Sequence, residues 1–408
     1  MQLVMSGTAS SNLPGLNETT GDPDTITCFS PAIPRSIVER RVVLLATAPI
    51  NKGSIFSNGL YQNIFIFYKL LENIGYLPFF MQNVDSSVAP DEILAGYRTI
   101  GVEQLMAKPL PVYAYIEIGM SVDPNFRKFM RMLGARNVKI YLGNILNIDT
   151  ETSLFYPQMF FNHHIVGEME QIWVSPHYEQ HREYAGIVNK VYDVAANALT
   201  VPYVWDPCFI TRFGTQFPKW RPAGPQERET IVLMEPNISF QKSSLIPLLA
   251  LEEYKLRHPE WNARIIVVNG HRIIAVPHFA ENVAAHLRLR PQCEFRQRSS
   301  IVELFNEFPS AKFICHQVNN EYNYMIMELL YCGFPVIHNG ESWSAYGYSY
   351  KENSIASLLT AYEEAAAHAH AQTYKTSQAQ SLFWRYSIHN PHVQAAWHRM
   401  LEEAPKSS

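Results

Sequence analysis

The feature that most constrains this chain is an alternation, made twice over, of short apolar runs with longer stretches of helical period. After Arg41 the run Arg41–Ala48 is continuously β-branched or apolar, as suits a strand buried on both faces of a parallel sheet. A loop holding Gly53 and Gly59 follows it. Leu60, Ile64, Phe67, Leu71 and Ile74 then recur at helical spacing, and Gly75 stands where a helix ends. With Leu77–Met81 as the next strand, these segments make a βαβ unit. Further strands are expected at Val112–Ile118, Val138–Leu142, Gln171–Val174 and Val201–Trp205, with helices over Asn125–Leu133 and Tyr178–Ala185.

A second series starts at Thr230–Met234. It continues with a helix from Ser244 to about His258, a strand from Arg264 ending in a turn at Gly270, and a mostly helical Val276–Leu289. Strands follow at Cys293–Phe295, Ala311–Cys315 and Phe334–His338. Helices are expected from Ile301, over Tyr324–Cys332, over Ser354–Gln372 and over Val393–Glu403. The proline-rich, polar stretch 209–229 separates the two series, as a linker would. The expected organisation is a flexible tail (1–36), a first Rossmann-like domain (37–215), a linker (216–229), a second Rossmann-like domain (230–380) and a helical segment (381–408). The fold class is α/β, two Rossmann-like domains facing across a cleft. Open parallel sheets bind ligands beyond the carboxyl ends of their strands, so the cleft is the expected site.

Composition narrows the function. Over 408 residues, 47% hydrophobic and 17% charged, the chain has enough apolar material for sizeable cores. Thirty-three Lys and Arg against 37 Asp and Glu leave a net charge of −4, which argues against a coat for nucleic acid or an anionic membrane. A local basic pocket for a phosphorylated ligand remains compatible with it. Five cysteines, odd in number and without CxxC spacing, suit a reducing compartment. No apolar run approaches the ~20 residues a bilayer needs, and the first residues lack a secretory signal. The expected location is cytoplasmic. No metal is expected: His163 and His164 lack companions, His368 and His370 do not share a helix face, and the one DxD, Asp22–Asp24, lies in the tail. GxSxG, HExxH and the P-loop are absent.

The stretch His316–Asn339 reads as strand end, polar loop, helix, Gly-x-Pro turn and strand. Within it Glu328, Gly333, Pro335, Val336 and Ile337 have the spacing seen in the C-terminal domain of GT-B glycosyltransferases, which the sequence resembles here. Its His-Gln and Asn-Tyr elements also resemble glycosyltransferase-like proteins of bacteria and large viruses. The resemblance implies the GT-B fold and a nucleotide diphosphate sugar as donor substrate, with no other cofactor. It implies that Glu328 hydrogen-bonds the donor ribose. A second family glutamate, eight positions earlier, is Asn320 here, with a glutamate displaced to Glu321. The loop Glu235–Ser244 precedes a helix whose exposed N–H groups attract anions. Lys242 stands where the family places a cation on the diphosphate, and Asn237, Ser239 and Ser243 add polar contacts. Asn269, after the next strand, and Arg298, in the loop after Cys293–Phe295, complete the expected donor set.

In the first half, Gly53, Asn58 and Gly59 resemble the family's loop beside acceptor and phosphates. An inverting enzyme needs a base that reaches the acceptor hydroxyl. Glu117, at a strand end, is the preferred candidate, with Asp123, His163 and His164 as alternatives. A retaining enzyme needs none. The implied partners are the donor and a glycan or other hydroxyl acceptor, without nucleic acid or an integral membrane segment. Two further readings stay open: a catalytically inactive nucleotide- or sugar-binding protein of the same fold, and a sugar-nucleotide epimerase-like enzyme.

Overall fold

The computed structural model describes residues 25–26, 33–34, 41–51, 55, 59–82, 91–118, 122–142, 167–191, 196–213, 219–237, 242–318, 320–367 and 372–403. The chain forms two compact units. The first comprises Met1–Val204 with Ser387–Ser408, the second Trp205–Tyr386.

In the first unit, β1 (Thr25–Ile26) and β2 (Ile33–Pro34) form a short antiparallel pair. The remainder of the expected tail lies outside the described residues. The main sheet comprises β3 (Val42–Thr47), β4 (Leu77–Gln82), β5 (Thr99–Gly101), β6 (Ala114–Ile118), β7 (Arg136–Tyr141), β8 (Gln171–Val174) and β9 (Asn197–Thr200). These seven strands are all parallel, in the order β5-β4-β3-β6-β7-β8-β9. Every residue of β3, β4, β6 and β8 is buried, which is why those strands read as continuous apolar runs rather than alternating ones.

The helices of this unit are α1 (Gly59–Asn73), α2 (Val102–Ala107), α3 (Pro124–Met132) and α4 (Arg182–Val188). Gly75 (φ 92°) and Gly134 (φ 86°) end α1 and α3 in the left-handed region that favours glycine. A later helix, Pro391–Glu402, also packs in this unit. Its Trp397, 1% exposed, lies with ring centroids 4.8 Å from Phe67 and 5.4 Å from Trp173.

Two expectations change here. The strand expected at Val201–Trp205 instead occupies Asn197–Thr200. The ladder continues one bond further, Val201 N–H to Val174 O at 2.9 Å, and stops before Pro202, which has no N–H to donate. Tyr178–Ala185 is a 3₁₀ segment, Pro176–His181, kinked at Tyr178 and followed by α4.

In the second unit, α5 (Cys208–Phe213) precedes β10 (Thr230–Leu233), α6 (Leu245–Arg257), β11 (Arg264–Val267), α7 (Gly270–Ile274), α8 (Pro277–Asn282), β12 (Cys293–Phe295), α9 (Ile301–Glu307), β13 (Lys312–Cys315), α10 (Tyr324–Tyr331), β14 (Val336–His338), β15 (Tyr348–Ser349), α11 (Ile355–Ala367) and α12 (Gln372–Tyr386). The six strands are parallel, in the order β12-β11-β10-β13-β14-β15. Ile231, Leu233, Ile265, Val267, Ile314 and Ile337 face a core closed by Leu248, Leu251, Leu358 and Tyr362 from α6 and α11. The helix expected over Val276–Leu289 is α8 followed by 3₁₀ turns.

Residues 219–229 of the expected linker are hydrogen-bonded into the second unit. Trp220 N–H reaches Cys332 O, and Arg221 N–H reaches Pro309 O, both at 3.0 Å. Trp205 belongs to this unit too: its N–H donates to Tyr386 O at 3.0 Å, and its ring lies 5.2 Å from Phe383. Among the described residues, no helix is long and apolar enough to cross a membrane.

Candidate functional site

The second unit holds a buried polar network at the place its sheet topology selects. β10 is central, and the chain leaves it toward β11 on one side and returns through β13 on the other. Adjacent strands whose following connections run in opposite directions leave a crevice beyond their carboxyl ends. Glu235, Asn237, Lys242 and Ser244 follow β10; His316 and Gln317 follow β13; Asn339 follows β14.

Asn237 organises the loop after β10. Its backbone is left-handed (φ 52°), a conformation asparagine tolerates better than most residues. Its Nδ2 donates to Glu235 O and to Val268 O, each at 3.0 Å, and its Oδ1 accepts Ser244 N–H at 2.8 Å. The loop closes with Asn237 N–H donating to Lys242 O at 3.1 Å. Lys242 is thereby delivered to the start of α6, where it pairs in an isolated antiparallel bridge with Gln317. Ser243 Oγ accepts Leu245 N–H at 3.2 Å. Ser244 is fully buried as the residue preceding α6, and its hydroxyl has no partner among the described residues.

The β13 side is equally tied. Gln317 N–H donates to Asn339 Oδ1 (2.9 Å) while Asn339 Nδ2 donates to Gln317 O (2.7 Å). Asn320 Nδ2 donates to Gln317 Oε1 at 2.6 Å. Glu235, with no exposed surface, joins the two sides: its Oε1 accepts His316 N–H at 2.8 Å, and Gln317 Nε2 lies 3.5 Å from its Oε2. Burial pushes the Glu235 carboxyl up to about 8, against the pull of the His316 N–H and the Lys242 charge. Burial also lowers His316 to about 4, where its Nδ1 meets Tyr350 OH at 2.8 Å.

The other expected donor residues lie in the segments that follow β11, β12 and β13, with different exposure. Glu328 is on α10 and 4% exposed. Glu321 accepts Ser342 N–H at 2.9 Å on Oε2. Asn269 is left-handed (φ 54°) and precedes Gly270, where a Cβ would meet Phe295 Cδ1 at 2.8 Å, so the α7 turn requires glycine against β12. Arg298 lies exposed after β12. Desolvation and the nearby Arg272 guanidinium lower its pKa. Arg296, by contrast, is taken up by Glu294 and Glu307. A cavity of about 660 Å³ opens beside the network, at the ends of β13, β14 and β15, lined by Gln317, Glu321, Asn339, Tyr350 and Asn353 among others.

Ser239, Gly53, Asn58, His163 and His164 lie outside the described residues. Gly59 begins α1, and its carbonyl accepts Asn63 Nδ2 at 3.1 Å. Asp123 caps α3 through Asn125 N–H at 2.7 Å.

Glu117 requires a correction: it is not placed to act as a base. Its side chain is 0% exposed and paired with Arg127 (2.8 Å from both Nε and Nη2) and Lys139 (3.2 Å), whose side chains are 0% and 3% exposed. Val122 N–H (3.2 Å) and Tyr115 OH (3.3 Å) complete its shell. A carboxylate committed to two buried cations holds strands β6 and β7 to α3 and cannot reach a substrate hydroxyl. Sequence reasoning missed Glu235 in turn. Its signal was an acidic residue two positions past the strand β10, beside the Pro-Asn turn.

No group of three or more His, Cys, Asp or Glu among the described residues is arranged to hold a metal ion. The fold can be compared with those of known proteins. Residues 45–401 match the family model described as protein of unknown function, DUF2827. This chain belongs to the DUF2827 family. Comparison with curated proteins finds no sequence match.

Solved structures share the architecture at low identity. The E. coli trehalose-6-phosphate protein bound with UDP-2-fluoro glucose has a TM-score of 0.59 at 9% identity, over 90% of this chain and 100% of its own. A sucrose-phosphate synthase from Thermosynechococcus elongatus has a TM-score of 0.54 at 13% identity, over 88% and 98%. A trehalose-6-phosphate synthase studied for glycosyltransfer with retention has a TM-score of 0.56 at 11% identity, over 89% and 100%. These neighbours are GT-B glycosyltransferases, and this DUF2827 chain has their fold of two Rossmann-like domains.

Proposed function

We propose that this DUF2827 protein is a GT-B glycosyltransferase that moves a sugar from a nucleotide diphosphate sugar to an acceptor hydroxyl, with a glycan as the favoured acceptor and without a catalytic metal. The observation that carries the reading is the start of α6. A buried hydroxyl with no partner among the described residues, a cation and the N–H groups of a 13-residue helix meet there, at the crevice between β10 and β13. That combination suits a diphosphate, whose developing charge it stabilises as the sugar leaves.

In the proposed roles, Lys242 and the α6 start hold the diphosphate, with Asn237 and Ser243 shaping the loop. Glu328 accepts the ribose hydroxyls. Asn320 and Glu321 face the sugar, and Asn269 and Arg298 flank the nucleoside. The bond from the anomeric carbon to phosphate oxygen breaks, the bond to the acceptor oxygen forms, and the nucleoside diphosphate leaves. In a retaining course a donor phosphate oxygen would take the acceptor proton and no protein base is needed.

The test is binding and turnover with a panel of nucleotide sugars. Glu328→Gln is expected to weaken nucleoside diphosphate binding about fivefold, the ~1 kcal/mol of one net hydrogen bond, and to leave inorganic pyrophosphate binding unchanged. Equal losses for both ligands would remove Glu328 from the ribose. Retained binding with no turnover of any donor would favour an inactive binding protein.

A further inference from the structure

The cavity of about 660 Å³ at the ends of β13, β14 and β15 has the size of a ligand pocket, and its floor is tied together by hydrogen bonds. The Asn339 side chain exchanges bonds with the Gln317 backbone at 2.9 and 2.7 Å and donates to Glu352 O at 3.3 Å. One amide thus joins the segments that follow all three strands. Tyr350 OH anchors the β15 end to β13 by donating to Cys315 O at 3.0 Å.

The lining is acidic. Glu321, Glu341 and Glu352 stand against the single ammonium of Lys351, a formal excess of two negative charges. The Glu341 and Glu352 side chains are exposed and have no hydrogen bond or ion pair among the described residues. A carboxylate only accepts hydrogen bonds, so this lining suits groups that donate: hydroxyls and ammonium. A ligand carboxylate finds one lysine to pair with and three like charges around it.

The charge reverses along the sheet edge. Arg272 and Arg298, after β11 and β12, pair with no carboxylate among the described residues, because Glu294 and Glu307 are taken up by Arg264 and Arg296. Lys242 follows β10. The next strand is β13, about 5 Å from β10. Gln317 belongs to both places: it lines the cavity and pairs in the bridge with Lys242. A ligand with its phosphates at the α6 start therefore has its next group at the cavity.

We propose that this cavity receives the transferred sugar and selects it by charge, admitting neutral hexoses and amino sugars and rejecting uronic acids. The inference rests on the donor-site reading above and adds the class of sugar.

The experiment is titration calorimetry of the full chain with UDP, UDP-glucose, UDP-glucosamine and UDP-glucuronate, each affinity read as a ratio to that of UDP in the same protein. If GDP is the nucleotide bound, GDP, GDP-mannose and GDP-mannuronate take their place. Wild type is expected to bind the glucuronate form about fivefold more weakly than the glucose form, and the glucosamine form no more weakly than the glucose form. In Glu341→Gln/Glu352→Gln the difference between glucose and glucuronate is expected to shrink toward none. In wild type it is expected to narrow in about 0.5 M salt, because the charges lie at an open surface. Glucuronate bound as well as glucose by wild type would overturn the proposal, as would a preference that neither the double variant nor salt reduces. If the double variant does not fold, the salt dependence of wild type decides it. A preference seen between free glucose and free glucuronate but not between their UDP conjugates would place an acceptor in the cavity and overturn the proposal too. Nucleotide binding that ignores the sugar would leave the donor-site reading standing, whereas no binding of UDP or GDP would overturn both.

Discussion

Glu117→Ala is expected to lower the stability of the first unit by about 3–5 kcal/mol, the usual cost of leaving a buried ion-pair partner alone. Arg127 loses both of its bonds to the Glu117 carboxylate and Lys139 loses its own, where both side chains are buried. Burial already pushes Lys139 down to about 8, with the Glu117 charge as the main opposing pull. Removing that pull depresses Lys139 further. A lysine whose folded pKa lies below its unfolded value loses stability as pH falls through the folded pKa. The deficit of the variant is therefore expected to be smaller at pH 9 than at pH 6. Urea unfolding at the two pH values measures it. A variant of wild-type stability that had lost turnover would instead return Glu117 to the chemistry.

The second large effect is expected at Lys242. Lys242→Ala should reduce nucleoside diphosphate affinity by roughly 10- to 150-fold, the 1.5–3 kcal/mol of a hydrogen bond to a charged group. The fold is expected to be unaffected, because Asn237 and backbone contacts hold the loop. Inorganic pyrophosphate should lose as much as the nucleotide, which separates this role from that of Glu328. An unchanged affinity for both would move the diphosphate away from the α6 start.

The two variants also mark how far the sequence could be read. The position of Lys242 before α6 was legible because the polar loop that carries it lies between a buried strand and a helix. That argument needs only local order. Glu117 was misread because β6 is buried along its whole length. A strand buried on both faces has no solvent side, so period and position near its end do not reveal whether a carboxylate meets water. The deciding partners are Arg127 on α3 and Lys139 on the neighbouring strand, 10 and 22 residues away.

Short strands were lost for a related reason. β5 and β15, of three and two residues, carry no detectable period and exist because a sheet edge was available to pair with. The unit boundary at Trp205 was hidden as well. A proline-rich composition marked 216–229, but Trp205, packed against Tyr331 and Phe383, already belongs to the second unit.

By itself the sequence determined the two α/β series, their parallel strands, the glycines that end α1 and α3, and the polar loops that follow the strands. Each of these is a local consequence of burial pattern and backbone freedom. Only the tertiary structure decided which polar residues are consumed in holding the fold and which stand in the crevice. Burial and charge pairing join residues distant in the chain: Glu117 with Lys139, and Glu235 with His316 across 81 positions. The energy of a carboxylate depends on what surrounds it in space rather than on what flanks it in sequence.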